Sequence, residues 1–214
     1  MADVITITQL KGGAGKTTLA AHLAAEAARR GLAVGLVDAD PQGSLTFWAE
    51  ERRRRLDGEL DISFRDGTGY RLAGEVRALR RETDLVLIDT PPHADSAVRA
   101  ALRTADLALC PLMPSPLDLA ATLPLAKLIG AAGTPSLFVF NRTPPRARIA
   151  DLIQAEFKAT GLPTARTRVG QRAVFSEALL TGRGASELAP RSPAAEEIRT
   201  LFDEAVADAL AAAA

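Results

Sequence analysis

The chain has 214 residues, 47% of them apolar and 24% charged, which suits a globular α/β domain with a substantial core and excludes a disordered polyelectrolyte. Its 26 basic and 26 acidic residues cancel, so affinity for nucleic acid or anionic lipid would have to come from a local patch. A single cysteine, Cys110, excludes an intrachain disulfide framework or a cysteine-ligated cluster built by one chain; with no secretory signal and no apolar run of membrane-spanning length, the expectation is one domain over 1–214 in a reducing cytoplasm.

Segments rich in β-branched residues alternate with alanine- and leucine-rich segments, the pattern of a mainly parallel, twisted sheet with helices on both faces. In chain order, strands are expected at Val4–Thr8, Ala33–Asp38, Leu85–Asp89, Leu107–Leu112 and Ser136–Phe140, with a short one near Pro163–Arg166. Helices are expected at Lys16–Arg30, Ser44–Leu56, Arg71–Arg81, Ser96–Arg103, Leu117–Ala131, Arg146–Thr160, Gln171–Leu180 and Pro193–Ala213. Gly31 stands where the first helix should be capped, and the Ala211–Ala214 tract should fray. Val86, Leu87 and Ile88 form an unbroken apolar run, as a central strand buried on both faces requires.

Directly after the first strand comes Lys11-Gly12-Gly13-Ala14-Gly15-Lys16-Thr17-Thr18, which runs straight into a helix. Small residues let successive backbone N–H groups face a phosphate, and the helix N-terminus adds partial positive charge. In such a loop Lys16 pairs with the β and γ phosphates of a nucleotide and Thr17 holds Mg²⁺. The usual phosphate-loop pattern asks for glycine at the position of Leu10; here a lysine, Lys11, stands beside it instead.

Two acidic segments end strands on the same edge: Val37-Asp38-Ala39-Asp40-Pro41-Gln42-Gly43-Ser44 and Leu87-Ile88-Asp89-Thr90-Pro91-Pro92. Asp89 is placed to act beside Mg²⁺, Asp38 toward the metal and Asp40 toward the γ phosphate. A bland role, capping the helix near Ser44, stays open for Asp40, although Ser44 is the better cap.

These segments, with Pro114-Ser115-Pro116-Leu117-Asp118 and Phe138-Val139-Phe140-Asn141-Arg142, resemble the ParA/MinD branch of P-loop ATPases, whose deviant Walker A motif reads Lys-Gly-Gly-x-Gly-Lys-Thr. The similarity runs through nearly the whole chain and looks most like short ParA proteins without an N-terminal helix-turn-helix. It implies ATP and Mg²⁺ as cofactors and an ATP-dependent homodimer in which Lys11 reaches the phosphates of the other subunit. It further implies that Asp40 orients the attacking water, that Asn141 meets the adenine edge with Arg142 stacked on the ring, and that Pro114–Asp118 lies at the dimer face. An ordinary proline turn capping the next helix is the alternative for that last segment.

The resemblance leaves the attachment open between DNA and membrane. A membrane-targeting tail needs an amphipathic basic helix, whereas Glu196, Glu197, Asp203, Glu204 and Asp208 make this tail acidic. Arg166, Arg168, Arg172 and Arg183, with Arg191, lie in a stretch whose only carboxylates are Glu177 and Glu187, which points to contacts with nonspecific DNA. The expectation is an ATPase that binds DNA as a dimer, is nucleoid-associated when ATP-bound, and releases on hydrolysis stimulated by a ParB-like adaptor or other activator. Its job would be to segregate or position a plasmid, a chromosome or a protein assembly. The rival readings are a MinD-like membrane-associated ATPase and a metabolic ATP-dependent ligase of the same superfamily. Arg52–Arg55 are read as helix-end electrostatics, and Cys110, His22 and His93 carry no chemistry.

Overall fold

The computed structural model describes residues 2–93, 95–145 and 148–213, with the side chains of 208–213 outside the description. Seven strands, β1 (Asp3–Ile7), β2 (Val34–Asp38), β3 (Ser63–Asp66), β4 (Leu85–Asp89), β5 (Leu107–Leu112), β6 (Ser136–Thr143) and β7 (Thr164–Gly170), form one sheet in the order β3-β2-β4-β1-β5-β6-β7. Every pairing is parallel. The connecting helices are α1 (Lys16–Arg29), α2 (Ser44–Arg55), α3 (Leu72–Glu82), α4 (Asp95–Leu102), α5 (Pro116–Ala132), α6 (Arg148–Ala159), α7 (Ala173–Leu180), α8 (Ala185–Leu188) and α9 (Pro193–Ala213).

Both faces of the sheet are covered, as continuous apolar strands demand. Ile5, Ile7, Leu36, Leu87 and Leu109 pack on one face against Leu19 and Leu23 of α1, Trp48 of α2 and Leu201 of α9. On the other face Val86 and Ile88 meet Val76 and Leu79 of α3, while Phe138 and Phe140 meet Phe157 of α6. Each such fully buried side chain stabilises the fold by roughly 1.5–3 kcal/mol. Cys110 is fully buried in β5, and burial pushes its thiol far above the usual range, which agrees with an inert residue.

Register decides where the acids fall. Asp38 pairs across to Asp89, which pairs to Ile7, so the ends of β2, β4 and β1 lie side by side at the carboxyl edge of the sheet. The chain leaves β1 at that edge and enters the glycine-rich loop. Gly31 adopts φ 82 just beyond α1, the left-handed conformation expected of a helix stop.

Three elements were not expected from the sequence, one of them a single 3-10 turn at Gly69–Arg71 ahead of α3. β3 is a half-exposed edge strand with the polar sequence Ser-Phe-Arg-Asp, too short and mixed for a period-two signal. α8 spans four residues. β6 and β7 both run further than expected, to Thr143 and Gly170, because they pair with each other through register shifts. The expected start of α6 at Arg146 lies outside the described residues, as does the end of the Ala211–Ala214 tract; α9 itself is helical through Ala213.

Candidate functional site

The loop between β1 and α1 lies over the carboxyl edge. Gly15, with φ 93, is the N-cap of α1, a backbone state that costs any β-carbon-bearing residue. A Cβ there would also lie 2.3 Å from the Asn141 amide nitrogen. Lys16 opens the helix, and its side chain lies in a cavity of about 640 Å³ also lined by Gly12, Gly13, Thr17, Thr18, Asp40 and Arg142. Burial lowers the Lys16 pKa, while Asp89 and Asp40 pull it back up, so the ammonium is held in a partly dehydrated, anion-seeking position.

Thr17 donates its hydroxyl to Asp89 Oδ2 at 2.5 Å. Asp89 is completely buried, and its Oδ1 has no hydrogen-bond partner among the described residues. Burial pushes its carboxyl up to about 7, opposed by the Thr17 hydrogen bond and by Lys16 and reinforced by Asp38 and Asp40. A divalent cation carried by a nucleotide fits this pair: a hydroxyl and an unsatisfied carboxylate oxygen side by side, in a place where positive charge relieves an isolated buried acid. Among the described residues no cluster of three or more His, Cys, Asp or Glu could hold a metal, so the remaining ligands would be phosphate and water.

Asp38 departs from expectation. Its Oδ1 accepts the Asp40 N–H at 3.0 Å, and its Oδ2 accepts both the N–H and the hydroxyl of Thr46 at 3.0 and 2.8 Å. Both oxygens are therefore engaged, and the carboxylate caps α2 from a distance instead of facing a metal. Ser44 does not cap that helix either: Gly43 is the N-cap, without a side-chain bond, and Ser44 is the first helical residue. Asp40 accepts the Gln42 N–H at 3.0 Å and shapes the turn before α2, while it lines the nucleotide-sized cavity. Asp40 is thus not the cap of α2; one of its oxygens is taken by the Gln42 N–H, and the residue lines the cavity.

Asn141 is buried, and both ends of its amide are engaged: Nδ2 donates to the Ala14 carbonyl at 2.8 Å and Oδ1 accepts the Arg142 N–H at 2.9 Å. Here it braces the phosphate loop from the end of β6 and does not present a free edge to a base. Arg142, at φ 52, lines the cavity. The apolar lining of the same cavity, Phe47, Trp48, Pro92 and Leu179, was not legible from sequence as a group, because these residues come from three separate segments.

Lys11 points away from the cavity and forms a 2.7 Å ion pair with Asp118, itself only 3% exposed. Asp118 also meets the hydroxyl of Ser115, whose oxygen accepts the Asp118 N–H and caps α5, with Pro116 following as first helical residue. The capping turn and the Lys11 contact thus coexist at Pro114–Asp118.

The arginines expected to contact DNA are not brought together as a free patch. Arg168 pairs with Asp151 of α6 at 2.7 Å and also meets Gln154. Arg172 is bound by Glu197 of α9, with Nε 3.0 Å from Oε2 and a second contact at 2.5 Å. Arg166 lines a cavity beside Asp203 and Glu204, whereas Arg183 lies near α2, where its carbonyl accepts the Trp48 indole N–H at 3.1 Å. The acids that neutralise Arg168 and Arg172 are 17 and 25 residues away and could not be paired from sequence.

Residues 5–198 match the CobQ/CobB/MinD/ParA nucleotide binding domain. The maintenance of carboxysome distribution protein A of Halothiobacillus neapolitanus is 34% identical over 212 residues, covering 96% of this chain and 97% of its own. The chromosome-partitioning ATPase Soj of Thermus thermophilus is 30% identical, with 95% of each chain covered. In fold, the septum site-determining protein MinD of Pyrococcus horikoshii, solved with Mg-ADP, superposes with a TM-score of 0.78 at 21% identity, over 95% of this chain and 96% of that one. With Lys11, Lys16, Thr17 and Asp89 set around one phosphate-sized loop, the chain belongs to the CobQ/CobB/MinD/ParA nucleotide-binding family and, within it, to the ParA/MinD ATPases.

Proposed function

We propose that the chain binds Mg²⁺-ATP at Lys11–Thr18, dimerises on it, and hydrolyses it slowly to time its attachment to nonspecific DNA. The observation that carries this reading is the division of labour between two lysines on one loop: Lys16 turned into the cavity, Lys11 turned out of it onto Asp118. Lys16 and the backbone of Gly12–Lys16 neutralise the phosphates, Thr17 and Asp89 hold the ion, and Asp40 positions the attacking water. Phosphoryl transfer needs mainly positioning and charge neutralisation, which this set supplies. Lys11, released from Asp118, reaches the phosphates of a second copy and offsets the repulsion of two facing nucleotides.

The similarity to a carboxysome distribution protein, over nearly the full length of both chains, favours a protein assembly as cargo, positioned over the nucleoid with an adaptor as activator. Arg166 and Arg183 are the more available of the four expected DNA contacts, since Arg168 and Arg172 are already paired. The test is retention on nonspecific DNA with ATP, ADP or no nucleotide across a salt series, using the wild type and Asp40→Ala. Retention should require ATP and fall steeply with salt. Asp40→Ala should keep binding ATP and DNA with turnover lost; retention independent of nucleotide, or unchanged turnover in Asp40→Ala, would refute the respective half.

A further inference from the structure

The edge of the sheet opposite the phosphate loop carries a second basic site. Arg77, Arg80 and Arg81 of α3 and Arg103, just after α4, line one cavity of about 330 Å³, floored by Ala73, Val76 and Ala105. It lies where β1 begins: Ala2 donates its N–H to the Arg80 carbonyl at 3.2 Å, and Asp106 accepts the Val4 N–H at 2.8 Å. Asp106 is the one carboxylate lining the cavity, and it is already shared between Val4 and the Arg80 guanidinium. The Arg80 Nε is buried with no partner among the described residues, and no ion pair among them engages Arg77, Arg81 or Arg103.

Helix electrostatics explains only part of this arrangement. Arg80 and Arg81 sit in the last turn of α3 and Arg103 follows α4, where a cation offsets the negative helix end. Two such ends are worth about half a charge each. With Asp106, and with Asp3 near enough to be stabilised by Arg80, they fall short of the four guanidiniums by about one charge, and Arg77, a turn earlier, is not at a helix end. Arg77, Arg81 and Arg103 are exposed, so that charge stands at the rim of the recess, where planar guanidiniums match the paired oxygens of linked phosphates.

We infer that this α3–α4 cleft is an anion site for the diphosphate group of a small phosphorylated ligand, separate from the nucleotide loop. The apolar floor and bounded volume favour a small molecule over a nucleic-acid backbone, which would need an open track. The inference does not depend on the proposed DNA attachment, since it concerns the opposite edge of the sheet.

The experiment is isothermal titration of pyrophosphate at low salt, without added magnesium, into Lys16→Ala, in which the phosphate loop no longer holds phosphate. Binding is expected to persist there and to weaken about tenfold or more when Arg81→Gln/Arg103→Gln is added. Arg103→Gln added alone, at an exposed position, should show a smaller loss in the same direction and serves if the combined variant does not fold. No binding to Lys16→Ala, or unchanged affinity in the arginine variants, would overturn the assignment. So would displacement of pyrophosphate by a short DNA duplex at lower phosphate concentration, which would make the ligand a nucleic-acid backbone.

Discussion

Asp89 shows how one buried carboxylate ties the fold to its ligand. Its carboxyl is raised from the usual range to about 7, so the folded, nucleotide-free protein holds a proton there that the unfolded chain releases near pH 4. The native state therefore binds more protons in that window, and the contribution of this group to stability falls as pH rises from about 4 to about 7. A Mg²⁺-nucleotide needs the ionised form, so its affinity should move the opposite way, tightening from pH 6 to pH 8 with release of close to one proton. Calorimetry in buffers of different ionisation enthalpy measures that release, and Asp89→Asn should abolish both the release and the pH dependence. At Lys11 the competing partner is Asp118. Asp118→Asn should lower the protein concentration needed for ATP-dependent association by about threefold to tenfold, since a partly exposed pair is worth about 1 kcal/mol; analytical ultracentrifugation with ATP reads it, and unchanged association would mean the pair does not hold Lys11 back.

At the scale of elements, α2 is anchored by a residue that looks, in sequence, like one of four surface arginines. Arg52 is 1% exposed and bonds Asp61 at 2.6 Å and Glu187 at 2.8 Å, as well as the Gly182 carbonyl at 3.1 Å, with the Trp48 ring 5.4 Å away. A Cβ on Gly182, already at φ 61, would lie 2.1 Å from the Arg52 backbone nitrogen, so the α7–α8 turn is pressed against α2. Arg52→Ala would leave a buried gap and the mostly buried Glu187 without its partner, while the more exposed Asp61 can turn to water; it should destabilise the protein by about 3 kcal/mol in chemical denaturation. Arg53→Ala, an exposed neighbour, should cost less than about 0.5 kcal/mol. The helix-end reading of Arg52–Arg55 was sound for position but not for Arg52's role. α1 offers a parallel case: His22 is buried, its Nδ1 accepts the Ala185 N–H at 3.1 Å, and burial lowers its pKa to about 4. It holds α8 against α1 as a neutral ring, where sequence alone placed it only on a helix face.

For the whole molecule, the proposed switch predicts a nucleotide-dependent mass. Light scattering should report a monomer with ADP and a dimer with ATP, the dimer persisting in Asp40→Ala and absent in Lys16→Ala because nucleotide is no longer held. A constant mass across nucleotide states would remove ATP as the interfacial glue. No helix among the described residues is long and apolar enough to cross a membrane. At the surface the sequence misleads in a specific way: a run of arginines reads as a basic patch until Asp151 and Glu197 arrive from α6 and α9 to neutralise two of them.

Local order along the chain determined much of this protein. The strand–loop–helix at Lys11–Thr18, the β4 aspartate after an apolar run and the alternation of strands and helices each depend on neighbours within a few residues, and all stand in the structure at or near their expected bounds. Tertiary structure decided what depends on distant partners: Asp38 given to Thr46, Asn141 turned onto the Ala14 carbonyl, Lys11 paired to Asp118, and the basic cleft assembled between α3 and α4. Periodicity and propensity are properties of a segment, whereas the satisfaction of a buried charge is a property of every element that packs around it.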